Sequence, residues 1–502
     1  MYIDKQNELW IGTNNGFCKY DQASDKFIRF ENNFRNNRIL SILQDHKENF
    51  WFGTFGGGLN MVTFDKYQTR ILNVSNYSNN INDEKTLVSD VISTLFEDRS
   101  HIMWIGSFLG LNKLDLKPKK FVLYKKTELP NSIDLFDNFI ASIYKDRNDI
   151  LWVGNWGKGL NLVDLKTRHV THYSPSLTGK HKIVNGYVQV IFKDPDNYMW
   201  IGTRNGIQVL NPKDSSFINL NAFFNLSGLP EFTNVRIRKI YADSKKNIWI
   251  CCDNGLYELN YETKKINTFL TKNDKNSISD NLVYDIIERK DGKLWIATVN
   301  GLNLYDPASN TFKHYFDDPS SMNSLSSSMT TCLLLDRDGD LWIGTNSGLN
   351  QLKKGSDHFI YFSKKDGLPD EYIYNIVEDE SGRIWFSCNR GIASLNKKTK
   401  RVVTYNNEDG LQGLEFNGGA CFQSETGELF FGGVSGLNSF YPNIMPINSF
   451  VPPVVITSFE KSNDSGKEKR IVHDKDVIEL SYNDYEIVIE FAALDYTNSK
   501  AN

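Results

Sequence analysis

Cysteine is scarce and unpatterned in this chain, with six among 502 residues and no spaced framework of the kind that staples a small disulfide fold. Cys251, Cys252 and Cys388 follow directly on a recurring tryptophan phrase and read as small residues packed in a strand, while Cys18, Cys332 and Cys421 fall on other expected strands. Neither sign of charge dominates: 57 Lys and Arg against 61 Asp and Glu leave a net −4, which excludes nucleic-acid binding as the main role. Long apolar runs are missing, since Phe450–Ile456 with its two prolines falls far short of the ~18 residues of a membrane helix. The opening MYIDKQNELW has no basic region followed by an apolar stretch and does not read as a signal peptide. Gly-x-Ser-x-Gly, Walker and His-Glu-x-x-His motifs are all absent. The eight histidines are scattered; His169 and His172 are close, but on a strand their side chains point to opposite faces, so no metal site and no cofactor are expected.

What the chain does have is aromatic residues: 10 Trp, 23 Tyr and 32 Phe. Nine of the tryptophans occupy one recurring phrase, as in LWIGTNNGF, MWIGTRNGI and LWIGTNSGL, and a tenth copy, LFFGGVSGL, carries Phe430 instead. The anchors are Trp10, Trp51, Trp104, Trp152, Trp200, Trp249, Trp295, Trp342, Trp385 and Phe430, spaced 41 to 53 residues apart. A period in the forties, with each unit parsing into four short strands, predicts propeller blades and an all-β protein.

Three positions of the repeat have separate physical reasons. Asp stands six residues before the anchor in eight of ten copies, suiting a tight turn between the first and second strands. The copy DRDGD (Asp336, Asp338, Asp340) lacks the bidentate Glu of a calcium loop and is taken as the same turn. Two residues after the anchor the side chain is small, usually Gly, which points to crowding beside the anchor's ring. Six or seven residues after it Gly appears in all ten copies, as expected where a hairpin tip needs positive φ.

Ten repeats exceed a ring of four to eight blades. The expected division is a partial propeller at 1–118 (repeats one to three), a seven-bladed ring at 119–443 and a separate element at 444–502. The tenth repeat lacks an outer strand, which FVLYKK at Phe121–Lys126 is placed to supply, leaving no open edge. The first strand of the first repeat looks truncated and the last element stops abruptly, so the chain is expected to be a piece open at both ends.

These features resemble the two-component regulator propeller family, the periplasmic sensor region of bacterial hybrid two-component systems. The inter-blade phrase appears as NSI at Asn131 and Asn276 and NSL at Asn323, and the last-blade phrase runs from Asp409 to Asn443. VPPVVITSF and EFAALDYTN resemble the opening of the Ig-like triple-tyrosine domain that follows such propellers. The resemblance implies a periplasmic ligand sensor, a small-molecule or oligosaccharide ligand, a homodimer in the full-length protein, and a membrane contact only through a helix downstream. Hairpin tips carry the candidate ligand residues Trp156, Arg204, Asn205, Asn254, Asn300, Asn346 and Arg390, with Phe55, Phe108 and Asn389 at equivalent tips. Trp156 is the one tryptophan outside the anchor series and suits a sugar ring, whereas Asn at a tip also tolerates left-handed backbone. No catalytic residue is expected. The alternatives are a propeller lyase resembling streptogramin lyase, which needs a catalytic His on the central face, and a non-catalytic interaction scaffold.

Overall fold

The structure is a computed structural model that describes residues 1–493 apart from 31–33, 82–85, 118, 127–132, 212, 225–231, 233, 261, 264, 275, 322–323, 446–452, 465 and 473–476. Asn131, Asn323 and the run Leu494–Asn498 of the family phrases lie outside the described residues. No helix among the described residues is long and apolar enough to cross a membrane. The chain forms two compact units, 119–446 and 1–118 together with 447–502.

The unit 119–446 contains seven four-stranded antiparallel sheets among its described residues. Blades one to six take their strands in chain order; blade one is Ile140–Lys145, Ile150–Asn155, Leu160–Asp164 and Val170–Tyr173. Blade seven combines Phe416–Gln423, Leu429–Gly433 and Gly436–Phe440 with Val122–Tyr124 from the other end of the unit. Val122 pairs with Ser439, Leu123 with Asn438 and Tyr124 with Leu437. The ring is therefore closed by strands from both ends, and Phe430, Leu437 and Ala420 of blade seven share a core with Ile140, Ile143 and Leu151 of blade one. In the other unit, repeats one and two form four-stranded sheets and repeat three a three-stranded one. Val454–Asn463, Gly466–Ile471 and Glu486–Ala493 make one three-stranded antiparallel sheet, so the described residues show a single sheet where a sandwich was expected.

The repeat positions explain these contacts. Each Gly at a hairpin tip has positive φ, for example 102° at Gly206 and 123° at Gly348, and a Cβ on Gly348 would lie 2.4 Å from the Phe362 carbonyl oxygen. The small residue after the anchor has a different cause from the crowding ring expected. A Cβ on Gly202 would meet Ile237 of the next blade at 2.9 Å, one on Gly344 would meet Ile373 at 3.0 Å, and one on Gly432 would meet Ile140 at 2.7 Å. Smallness lets the following blade approach. It also admits the inner strand of the same blade, since a Cβ on Gly344 would meet Cys332 at 2.4 Å and one on Gly154 would meet Ser142 at 2.2 Å.

The repeated Asp does more than turn the chain. Asp194 Oδ1 accepts the backbone N–H groups of Asp196 and Tyr198, at 3.0 and 2.8 Å, which is the turn. Its Oδ2 accepts the indole N–H of the anchor Trp200 at 2.8 Å. The same indole bond recurs at Trp10, Trp51, Trp104, Trp249, Trp342 and Trp385, at 2.7 to 3.0 Å. Trp152 is the exception: Asp146 keeps the turn bonds, but the Trp152 Nε1 atom is buried without a partner among the described residues. Between blades five and six, Lys397 Nζ reaches Asp338, Glu378 and Asp336 at 2.6, 2.7 and 3.1 Å.

Two outcomes follow for stability. Asp194→Ala removes three hydrogen bonds and orphans an indole, so it should cost about 2–4 kcal/mol; Asp146→Ala removes two and orphans nothing new, and should cost about 1–2 kcal/mol. Urea unfolding of both variants checks the difference. Burial alone would raise the Asp379 carboxyl, but hydrogen bonds from Ser381, Trp385 and Arg383 outweigh it and hold the group below its ordinary value. A carboxyl depressed in the folded state stabilises above its unfolded pKa and loses that contribution as pH falls through the folded one. The stability gap between the native chain and Asp379→Asn should therefore narrow below about pH 4.

Candidate ligand-binding channel

The inner strands of blades one to five each break register once. Pairing passes from Ile140 to Ser142, Val188 to Val190, Ile237 to Lys239, Val283 to Asp285 and Thr330 to Cys332. A bulge leaves one residue unpaired and re-aims its side chain. The residues so released, Ala141, Gln189, Arg238, Tyr284 and Thr331, line a central cavity of about 550 Å³. Blade six adds Tyr372 and Tyr374, and blade seven adds Gly418 and Gly419. The volume suits a small ligand.

Cations and aromatic rings crowd one end. The Arg204 guanidinium lies 5.1 Å from the Trp156 ring centre and 4.6 Å from that of Tyr187, and Arg236 lies 4.8 Å from Trp156. Tyr187 meets Trp156 edge-on at 5.7 Å. Arg238 covers Tyr284 at 4.2 Å, and its Nε donates to Asp253 Oδ1 at 2.5 Å. Tyr374 stacks near Tyr372 at 4.6 Å and donates its hydroxyl to Asn389 Oδ1 at 2.8 Å.

Two polar groups on the lining lack partners among the described residues. Gln189 is 5% exposed, and neither its amide oxygen nor its nitrogen is hydrogen-bonded. The Arg236 Nε is also buried and unpaired. Burial, followed by the nearby Arg238 and Arg204, pushes the Arg236 guanidinium down to about 10, which leaves it charged at neutral pH. Buried donors and acceptors are almost always satisfied in a folded chain, so an unpaired pair on one cavity wall marks where a ligand or water belongs.

Further along the channel, Lys239 Nζ sits 3.2 Å from Asp285 Oδ1, and the carboxylate holds the ammonium, on a side chain 44% exposed, above its ordinary pKa. Asp285 Oδ2 accepts the Leu333 N–H at 2.9 Å, tying blade four to blade five. Cys332 and Cys421 also line the cavity, but burial pushes Cys421 up to about 12 and raises Cys332 too, so both stay neutral and poorly nucleophilic. No histidine lies among the described lining residues.

Of the sequence-expected residues, Trp156 and Arg204 are brought together. Asn205 sits beside them with its N–H on Thr203 Oγ1 at 3.1 Å. Asn254, Asn300, Asn346 and Arg390 stay exposed at their own hairpin tips and do not line the cavity. None of Asn205, Asn254, Asn300, Asn346 and Asn389 has positive φ, so left-handed backbone is not their reason; the following Gly takes that conformation. The tip is held by the last residue of the second strand, one or two positions before them: Thr203, Thr298 and Thr345 each donate a hydroxyl to that glycine's carbonyl at 2.8 to 2.9 Å, and Cys252 Sγ does the same at 3.1 Å. Gln189, Arg238 and Tyr284 were not legible because they stand on bulges of three different repeats, and Arg236 because it stands just ahead of the strand Ile237–Ala242 in a single repeat.

Breaking the channel ion pair from either side should differ. Asp285→Ala removes the acceptor of the Ile286 and Leu333 N–H groups, for an expected loss of about 2–3 kcal/mol, while Lys239→Met keeps both bonds but leaves the buried Asp285 carboxylate without its cation and should cost about 1–2 kcal/mol. Thermal melts of the two variants compare them directly.

Comparison with known proteins places this geometry. Six segments, 33–56, 134–157, 182–205, 277–300, 324–347 and 367–390, match the family model described as two component regulator propeller. Each runs from the inter-blade loop through the inner strand to the hairpin tip. No curated protein matches the sequence. The chain is similar in fold to the extracellular domain of the putative hybrid two component system BT3049 from B. thetaiotaomicron, at 24% identity and a TM-score of 0.76, covering 99% of this chain and 64% of that one. It is also similar to the extracellular domain of the putative one component system BT4673 from the same organism, at 17% identity and TM-score 0.53, covering 97% and 70%. The chain thus spans less than two thirds of the BT3049 domain.

Proposed function

Taking its repeats to be those of the two component regulator propeller, we propose that this chain is the ligand-sensing part of an extracytoplasmic signal-transduction protein. The ligand is a small molecule, an oligosaccharide bearing a carboxylate or sulfate, held at the arginine-rich mouth of the channel. The observation that carries the reading is the two unpaired buried groups on the cavity lining, the Gln189 amide and the Arg236 Nε, the second of them beside Trp156, which Arg204 also covers. A guanidinium offers a planar fork to an anion, an amide offers both a donor and an acceptor to hydroxyls, and an indole offers a face to a sugar ring. The bound state would be relayed through the C-terminal sheet, a periplasmic location and a homodimer following from the same reading. The lyase alternative asks for a histidine in the channel; the described lining has none, which favours a non-catalytic role.

Calorimetry with a panel of neutral and uronate-containing oligosaccharides tests this. Binding is expected for acidic members only, weakened about 10-fold or more in Arg236→Met, with about 1.4 kcal/mol lost per tenfold. Trp156→Ala should weaken binding as well, with little change in melting temperature. Equal affinity for neutral and acidic sugars, or an unchanged affinity in both variants, overturns the proposed mouth.

A further inference from the structure

Away from the channel, in the unit that contains residues 1–118, three metal-ligating side chains converge. His46 follows the turn-forming Asp45 of the second repeat, Glu97 ends the inner strand Ile92–Glu97 of the third, and His101 lies in the third repeat's turn. Glu97 Oε1 is 2.6 Å from His46 Nδ1 and 2.9 Å from His101 Nδ1, and the two imidazoles stack with centres 3.7 Å apart. The three ligand atoms all fall within 4.8 Å of one another.

The scaffold accounts for only half of this arrangement. Glu97 Oε2 accepts the His46 backbone N–H at 2.9 Å, and the same latch recurs where Ser244 N–H donates to Glu288 at 2.7 Å and Arg337 N–H to Glu378 at 2.9 Å. At those sites the second carboxylate oxygen is taken by the Ser244 hydroxyl or the Lys397 ammonium, each at 2.7 Å. Among the described residues, Glu97 is the one such carboxylate on which two imidazoles from neighbouring repeats converge. His101 holds φ 63° at a turn position that is left-handed in every repeat, occupied by Asn7, Glu48, Asp149, Asn197 and Lys246 in five others and by Gly292, Gly339, Gly382 and Gly427 in the last four. The turn accepts many residue types and by itself gives no reason for an imidazole.

We propose that His46, Glu97 and His101 form a divalent transition-metal site, with the two Nδ1 atoms and Glu97 Oε1 as ligands and a fourth position open to solvent. Two imidazoles and a carboxylate are a donor set for Zn²⁺ and its neighbours, and they disfavour Ca²⁺ and Mg²⁺, which take oxygen ligands. Tetrahedral bonds of about 2.1 Å separate ligand atoms by about 3.4 Å, so each Nδ1 must draw back from Glu97 Oε1 by under about 1 Å. His46 and His101 are 25% and 45% exposed and have room to do so. The metal then clamps the second repeat to the third.

Titration of the chelator-stripped full chain with ZnCl₂, read by calorimetry and melting temperature, tests the site. One saturable Zn²⁺ equivalent and a raised melting temperature are expected. His101→Gly removes the ligand at a backbone position that glycine prefers, so it should fold as well as the native chain. It should lose at least about 10-fold in Zn²⁺ affinity, the loss that even an outer-shell partner gives, and so should His46→Ala. His172→Ala, on a different blade, should bind as the native chain does. Absence of saturable Zn²⁺ binding, or affinity unchanged in both His101→Gly and His46→Ala, overturns the assignment.

Discussion

The indole N–H of seven of the nine anchor tryptophans, and the carboxylate that receives it, is the constraint from which the blades take their form. A tryptophan large enough to fill the space between two blades brings a donor that must be satisfied in the interior. One aspartate six residues earlier does this with Oδ2 while Oδ1 folds the turn, so the hairpin between first and second strands and the packing between blades are set by a single side chain. Departures are instructive. Phe430 has no N–H, and Ser424 at its −6 position keeps only the turn, accepting the Glu428 N–H at 3.0 Å. Trp295 has Arg289 there, whose guanidinium lies 5.9 Å from the ring centre.

The same economy explains how much was legible beforehand. The ring, its closing strand and the hairpin glycines are properties of the repeat, and a pattern seen ten times can be read from spacing. The mouth of the channel is the reverse case. Arg236, Gln189 and Tyr284 each occur once, on different blades, and only the bulges and the curvature of the ring bring them together. Asn350, two residues after the tip glycine Gly348, tethers the inter-blade loop: its Oδ1 accepts the Ser326 N–H at 2.9 Å and its Nδ2 donates to the Ser326 hydroxyl at 2.8 Å. His46 and His101 stand 55 positions apart on two repeats, so no short spacing marks them in the way that His169 and His172 are marked.

Structure and recognition are therefore divided between residue classes. Residues that recur hold the blades, and a substitution among them is felt as stability. Residues that do not recur stand on the inner-strand bulges and the hairpin tips, where the scaffold leaves their identity free. Trp156 shows the difference well: it has the residue type of an anchor, yet it sits among three arginine and tyrosine side chains at the channel mouth instead of between blades.

Closing the ring with a strand from the far end has a consequence for how the chain comes into being. Val122 and Asn438, which meet in blade seven, are 316 residues apart. During synthesis at roughly 5–20 residues per second, the strand Val122–Tyr124 waits on the order of 15–60 s for its partner. Throughout that interval blade one presents an uncovered face and the early strand has an unpaired edge. The ring cannot mature blade by blade into its final state; its last step is one long-range pairing, of the kind that makes folding slow. A nascent chain of this design depends on being kept apart from its neighbours until its own end arrives.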